Sequence, residues 1–200
     1  MNKKIIMWVS IAVVVIIAAF LIIYINSKNI SGHATINSLK NKVFQGDISK
    51  LTLDVSELPE GYEIAERSPR IKSDVAEEGL DLGWEEGYYI RYLNGDMDNL
   101  LDVSTIQISI SRYPLENINK LIEIEPFELE GSIAELFPNP QIGEGSKAIR
   151  YTNKEDFLLV LTEYQIQFYK KDIFITMFMG GTTTDYELLK GLAKKVENKI

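Results

Sequence analysis

The chain has 200 residues, with 21 Lys and Arg against 29 Asp and Glu for a formal charge of -8, a single histidine and no cysteine. The acid excess repels phosphate backbones, so no nucleic-acid partner is expected, and the missing thiols exclude disulfides, cysteine nucleophiles, thiolate metal sites and lipidation through cysteine. The length suffices for about one domain with a core of its own.

Residues 1–4 place Lys3 and Lys4 ahead of a run from Ile5 to Ile25 that holds no charged residue. Its apolar side chains cover every face of a helix, and at 1.5 Å per residue it spans roughly 30 Å, the thickness of a bilayer's hydrocarbon core. Trp8 and Tyr24 sit near its two ends, at the headgroup level that amphipathic rings prefer. The lysines before it predict a cytoplasmic N-terminus, a single transmembrane helix over 5–25 and an extracytoplasmic remainder. A cleaved secretory signal has a shorter apolar core that ends in small residues. Here Ala18 and Ala19 are followed by Phe20 and Leu21, and the run closes on Ile22, Ile23, Tyr24 and Ile25, so a retained signal anchor is expected.

Over 26–50 the composition turns to Asn, Ser, Lys and Gly, and the apolar residues keep no long period, which reads as a tether. His33 falls here, without neighbouring ligands, and Asn29-Ile30-Ser31 fits a glycosylation acceptor, a triplet that also arises by chance.

The folded domain is expected over 51–200. Leu51, Leu53 and Val55 alternate with polar residues as a strand, Pro59 and Gly61 mark a turn, and a second strand follows over 62–67. A short helix capped by Ser73 or Asp74 runs to Leu80. Strand three covers 88–93, and Ile106, Ile108 and Ile110 alternate strictly with Gln107 and Ser109 as a half-buried strand. Leu115, Ile118, Leu121 and Ile122 recur at helical spacing until Pro126. Strands over 146–152 and 157–169 then lead through Lys170-Lys171-Asp172 to 173–179, which is apolar on both faces and so central in its sheet. Thr184 and Glu187 form a capping box for a last helix with a stripe of Leu189, Leu192, Ala193, Val196 and Ile200. Short turns favour antiparallel pairing, and a doubly buried strand asks for helices on both sides. The prediction is an α+β domain, a three-layer α/β/α sandwich on a mainly antiparallel sheet, after one N-terminal transmembrane helix.

Leu58-Pro59-x-Gly61-Tyr62, Gly83-Trp84, Gly87-Tyr88, Tyr113-Pro114, Ile142-Gly143-x-Gly145-Ser146-x-Ala148 and Phe168-Tyr169-Lys170 together resemble a group of exported, often membrane-anchored prokaryotic domains of unassigned function. Their order of elements is similar to the PsbP-like fold. The resemblance covers roughly 51–200 and rests on turn glycines and core positions, so it implies a fold and carries no chemistry with it.

Asn94, Asp96, Asp98 and Asp102 stand at relative positions 1, 3, 5 and 9 of a calcium-type loop, where alternate residues on a curved backbone converge on one ion. The glycine expected at position 6 is Asn99 and the acid expected at 12 is Thr105, so a solvated acidic loop competes with calcium as the reading. Tyr62, Trp84, Tyr88, Tyr89 and Tyr92 are candidates for a partner-binding groove, against core and sheet face as the plainer use of such rings. Glu85 and Glu86 are adjacent on a strand and point to opposite faces, so they do not flank one glycosidic bond. Gly143-Glu144-Gly145-Ser146 lacks the serine between glycines that a nucleophile elbow needs. Gly180-Gly181 ahead of three threonines reads as a strand-to-helix turn. No catalytic set stands out. The expected function is a non-catalytic binding or assembly domain on the outer face of the cell membrane, with a protein or envelope partner. The alternatives are a hydrolase with carboxylates assembled by the fold, or an accessory or sensor subunit of a membrane complex.

Overall fold

A computed structural model describes residues 42–95, 103–126, 132–153 and 162–200. The apolar run over 5–25, the tether up to residue 41 and the acids at 96, 98 and 102 lie outside the described residues. Among the described residues no helix is long and apolar enough to cross a membrane.

Seven strands form one sheet: β1 (Tyr62–Arg70), β2 (Glu86–Asn94), β3 (Ser104–Arg112), β4 (Ser132–Phe137), β5 (Gly145–Asn153), β6 (Thr162–Lys170) and β7 (Ile173–Gly181). Their order is β1-β2-β3-β7-β6-β5-β4, and each neighbouring pair is antiparallel. β7 therefore occupies the middle of the sheet, as its two apolar faces require. The Lys171-Asp172 hairpin delivers it there from β6, with Lys171 at φ 57 supplying the left-handed turn residue. β1 is an edge strand, which is why it tolerates Pro69 and a register shift between Ile64 and Glu66.

On one face Ile106, Ile108 and Ile110 of β3 meet Ile173, Ile175, Met177 and Met179 of β7 and Ile166 and Phe168 of β6, all at most 1% exposed. The helix α2 (Tyr186–Glu197) lies on them through Leu189, Leu192, Ala193 and Val196, the i, i+3, i+4, i+7 stripe that makes it amphipathic. Full burial of each large aliphatic side chain contributes about 1.5–3 kcal/mol, so this layer carries most of the apolar stabilisation. Asp185 caps α2, its Oδ1 accepting from the amides of Glu187 at 2.8 Å and Leu188 at 3.1 Å. The expected cap, Thr184, instead donates to the Thr162 carbonyl at 2.9 Å. The two residues differ by one position, and the carboxylate is the better acceptor at the positive end of a helix.

The segment ahead of β1 completes this face. Ile48 and Leu51 are buried from a 3-10 turn at Ile48–Leu51 and Leu53 from the link between it and a second turn at Val55–Glu57, and not through the strand that the alternation of Leu51 and Leu53 suggested. A single extended stretch with no sheet partner leaves its backbone groups unpaired, whereas Asp47 and Glu57 side chains satisfy the amides of these turns. The folded unit begins at Val43, inside the stretch expected to be tether. Phe44 is fixed at both backbone groups: its amide donates to Asp172 Oδ1 at 2.6 Å and its carbonyl accepts from Arg112 Nη1 at 2.9 Å.

The opposite face departs from the expected third layer. Among the described residues the cover lies at its end near Arg112, a small cluster in which Tyr113, Ile118, Leu121 and Phe174 pack with Leu82 and Trp84. The covering pieces are α1 (Glu77–Asp81) and a 3-10 helix at Ile118–Ile122. Neither is long enough to span the sheet. Gly79 and Gly83 shorten the first, and Pro114 and Pro126 bracket the second, which was expected to run from Leu115 as an α-helix. Among the described residues no element covers the middle of this face, although Ile149 and Tyr151 on it are buried.

Candidate functional site

The open middle is built from the polar alternates of five strands. In β2, β3, β7, β6 and β5 the residues between the core positions point to this face, and the registers bring them into rows. One row sets Gln107 of β3 and Gln165 of β6 on either side of Phe178 of β7. The next sets Tyr89, Ser109, Thr176 and Gln167 side by side across β2, β3, β7 and β6. Tyr89, Gln107, Ser109, Gln165, Thr176 and Phe178, together with Tyr151 of β5, line a cavity of about 370 Å³. That is within the size range of small-molecule sites, about 300–1,000 Å³.

The polar groups of the cavity are oriented in two matching pairs. Tyr89 donates its hydroxyl to Gln107 Oε1 at 3.2 Å, and Tyr151 donates to Gln165 Oε1 at 3.1 Å. Each tyrosine thereby fixes one carboxamide, and the Nε2 donors of both glutamines have no acceptor among the described residues. Burial raises both tyrosine hydroxyls above the ordinary range, and so holds them as neutral donors. Gln167 Oε1 is buried without a hydrogen-bond partner.

Charge is kept to the margins. Tyr89 and Ser109 also wall a neighbouring hollow of about 550 Å³ lined by Glu66, Ser68, Arg70 and Asp74. Arg70 donates to Ser109 Oγ at 2.8 Å, to Ser111 Oγ at 3.1 Å and to the Asp74 carbonyl, while Arg91, paired with Gln107 across β2 and β3, meets Glu66 at 3.3 Å through Nη2 and keeps its Nε buried without a hydrogen-bond partner. Burial lowers the Arg70 pKa, and the nearby Tyr113 and Asp74 offset this only in part. At the far end of the cavity Glu163 stands beside Tyr151, and burial raises its carboxyl above the usual carboxylate range. It leans with the Phe178 ring over Gly180, where a Cβ would lie 2.8 Å from the ring and 3.0 Å from Glu163 Oε1. Glycine at 180 is what lets both side chains lie flat on the strand.

Of the aromatic candidates, the structure places Tyr89 in this cavity and the other four elsewhere. Tyr62 and Tyr92 point into the core, with hydroxyls bonded to Ser104 Oγ at 2.8 Å and to the Leu53 carbonyl. Tyr88 packs against that core, and Trp84 joins the small cluster and donates to Ser111 Oγ at 3.2 Å. The rings alternate along β2, so no one face collects them. Of the calcium candidates, Asn94 ends β2 with its Nδ2 on the Glu60 carbonyl at 3.4 Å, and Asp96, Asp98 and Asp102 lie outside the described residues. No group of three or more metal-ligating side chains occurs among the described residues. Glu86 pairs with Arg112 at 2.7 Å, and Ser146 Oγ ties the turn before β5 by accepting from the Ile142 amide and donating to Asn139 Oδ1. Gln107, Gln165, Tyr151, Thr176 and Phe178 carried no motif. Their signal is a glutamine or aromatic ring repeatedly taking the solvent-side position of a strand otherwise fit for a core.

No family model matches the chain, and no curated protein matches it by sequence. Among solved structures it is similar to the extracellular domain of PknH from Mycobacterium tuberculosis, with a TM-score of 0.54 and 8% identity over 76% of this chain and 93% of that one. The Rv0999 ortholog from Mycobacterium smegmatis, an uncharacterized protein, aligns at a TM-score of 0.44 and 10% identity over 76% of this chain and 97% of that one. The likeness to the PknH domain is one of fold.

Proposed function

We propose that this chain is a non-catalytic binding domain, tethered on the outer face of the cell membrane by residues 5–25, that holds its ligand in the cavity across β2, β3, β7, β6 and β5. The observation that carries the reading is the pair of tyrosine-fixed glutamines lining a cavity of neutral side chains, on a sheet face that no element among the described residues covers. A sheet face built only for packing would carry apolar residues there, as the face under α2 does. The location rests on the uninterrupted apolar run and its preceding lysines, and agrees with a fold similar to that of an extracellular domain in PknH.

Two experiments test it. Protease added outside intact cells should remove the domain while residues 1–25 stay with the membrane, and full protection from outside defeats the topology. A photo-crosslinking residue in place of Ser109 should trap a bound molecule in cells, and the same residue in place of exposed Glu63 should not. Equal yields at both positions remove the cavity as the binding site.

The hydrolase alternative draws its support from Glu163, a carboxyl kept protonated to higher pH by burial, as a general acid would be. It needs a second acid or base within reach, and the residues enclosing the cavity are neutral. Turnover of any ligand captured by the Ser109 position, abolished in Glu163→Gln, would replace the binding reading with the hydrolytic one.

A further inference from the structure

Resting on the reading of this cavity as the binding site, we infer that its ligand class is an uncharged saccharide, held by the amides of Gln107 and Gln165 over the Phe178 ring.

The chemistry of the site limits the choice. The side chains enclosing the cavity are hydroxyls, carboxamides and aromatic rings, so an ionic ligand would be desolvated there without a counter-charge. Neither arginine nearest to it lines the cavity: Arg70 donates to Ser109, Ser111 and the Asp74 carbonyl, and the Arg91 charge is balanced by Glu66, although its Nε has no hydrogen-bond partner. The open groups are of both kinds: the two amide donors of the Gln107–Phe178–Gln165 row, and the hydroxyl oxygens of Tyr89, Tyr151 and Thr176, which keep lone pairs free to accept. A sugar hydroxyl donates and accepts at once, and so satisfies a mixed set of this kind within one ring. The apolar face of the same ring has Phe178 to stack on, between Tyr89 and Tyr151.

An extended peptide fits less well. Peptides that bind sheets add to an edge strand through backbone hydrogen bonds. The strands beneath this cavity are interior ones, with β1 and β4 at the two edges, so their amides and carbonyls are spent on one another. Recognition here runs through side chains alone. A volume of about 370 Å³ admits roughly one or two pyranose rings.

The test uses the full chain in lipid nanodiscs, because maltoside detergents are themselves neutral sugars. Triacetylchitotriose and maltotriose are titrated at millimolar concentration and followed by saturation-transfer NMR and calorimetry. At least one should bind saturably, and Gln107→Glu and Gln165→Glu, which keep the shape but replace each donor with an acceptor, should weaken it by about tenfold or more. Glu63→Gln should leave it unchanged, and circular dichroism should show the three variants folded. Phe178→Leu should weaken binding while keeping the floor apolar. No saturable binding by either trisaccharide overturns the saccharide assignment. It leaves the cavity reading standing if the Ser109 crosslinker still traps a peptide or other molecule in cells. Binding of a trisaccharide that is indifferent to Gln107, Gln165 and Phe178 overturns both.

Discussion

Arg112 Nη1 donates to Asp172 Oδ2 at 2.5 Å, and Asp172 is nearly inaccessible at that contact. The two side chains grip the amide and carbonyl of Phe44 between them, so one ion pair decides whether the N-terminal segment stays on the sheet. Although its burial works the other way, the carboxylates of Glu86 and Asp172 raise the Arg112 pKa and hold the guanidinium charged. Asp172→Ala leaves that charge and the Phe44 amide under-compensated, and should destabilise the domain by about 3 kcal/mol. Urea unfolding followed by Trp84 fluorescence measures it. The Arg112→Ala, Asp172→Ala double variant should lose less than the two single losses together, since each removes the other's partner.

Tyr92 lies at 0% exposure with its hydroxyl on the Leu53 carbonyl. Tyr92→Phe keeps the ring and strips the buried carbonyl of its donor, for an expected cost of about 1–2 kcal/mol. The loss should appear in the unfolding midpoint, with far-ultraviolet circular dichroism unchanged.

Neighbours in one strand should behave in opposite ways. Ile108, at 0% exposure, faces the core under α2, and Ile108→Ala should cost about 2–5 kcal/mol by opening a void there. Gln107 faces the cavity, and Gln107→Ala should stay within about 1 kcal/mol of the parent in thermal unfolding while losing ligand capture. Equal losses of stability at the two positions would mean that the open face is packed.

Glu163 sets a pH dependence whose sign is fixed by its raised carboxyl. The folded state holds this proton more tightly than the unfolded state, so the stability it contributes is fully present below the ordinary glutamate range and is lost as pH rises through the higher folded value. Glu163→Gln keeps the hydrogen-bonding shape without the buried charge. It should therefore raise the melting temperature at pH 7 and make no difference near pH 4, compared by thermal melts at both values.

Much of this fold follows from strand pattern. The strict alternation of β3 and the doubly apolar β7 identify a core strand and the central strand, because burial on one face or two leaves that mark directly. β4 left none: as an edge strand with Ile133 and Leu136 exposed at 51% and 73%, it has no buried face to pattern. Leu51 and Leu53 alternate as a strand does, yet they reach the core from a 3-10 turn and the link after it, since two buried side chains do not determine the hydrogen bonds of the backbone between them. The cavity was illegible for a different reason. Tyr89, Gln107, Tyr151 and Gln165 come from four strands spread over the chain, and only the strand order sets each tyrosine against its glutamine.

The clamp on Phe44 sits at the Lys171-Asp172 hairpin, whereas the cavity lies about six residues further along β7, or roughly 20 Å at the rise of a strand. Between them stands the cluster around Phe174 that roofs the near end of that face. A pull on the backbone at Phe44 is therefore taken up by the hairpin and by Arg112 before it reaches the tyrosine-glutamine pairs, which lie toward the other end of β7.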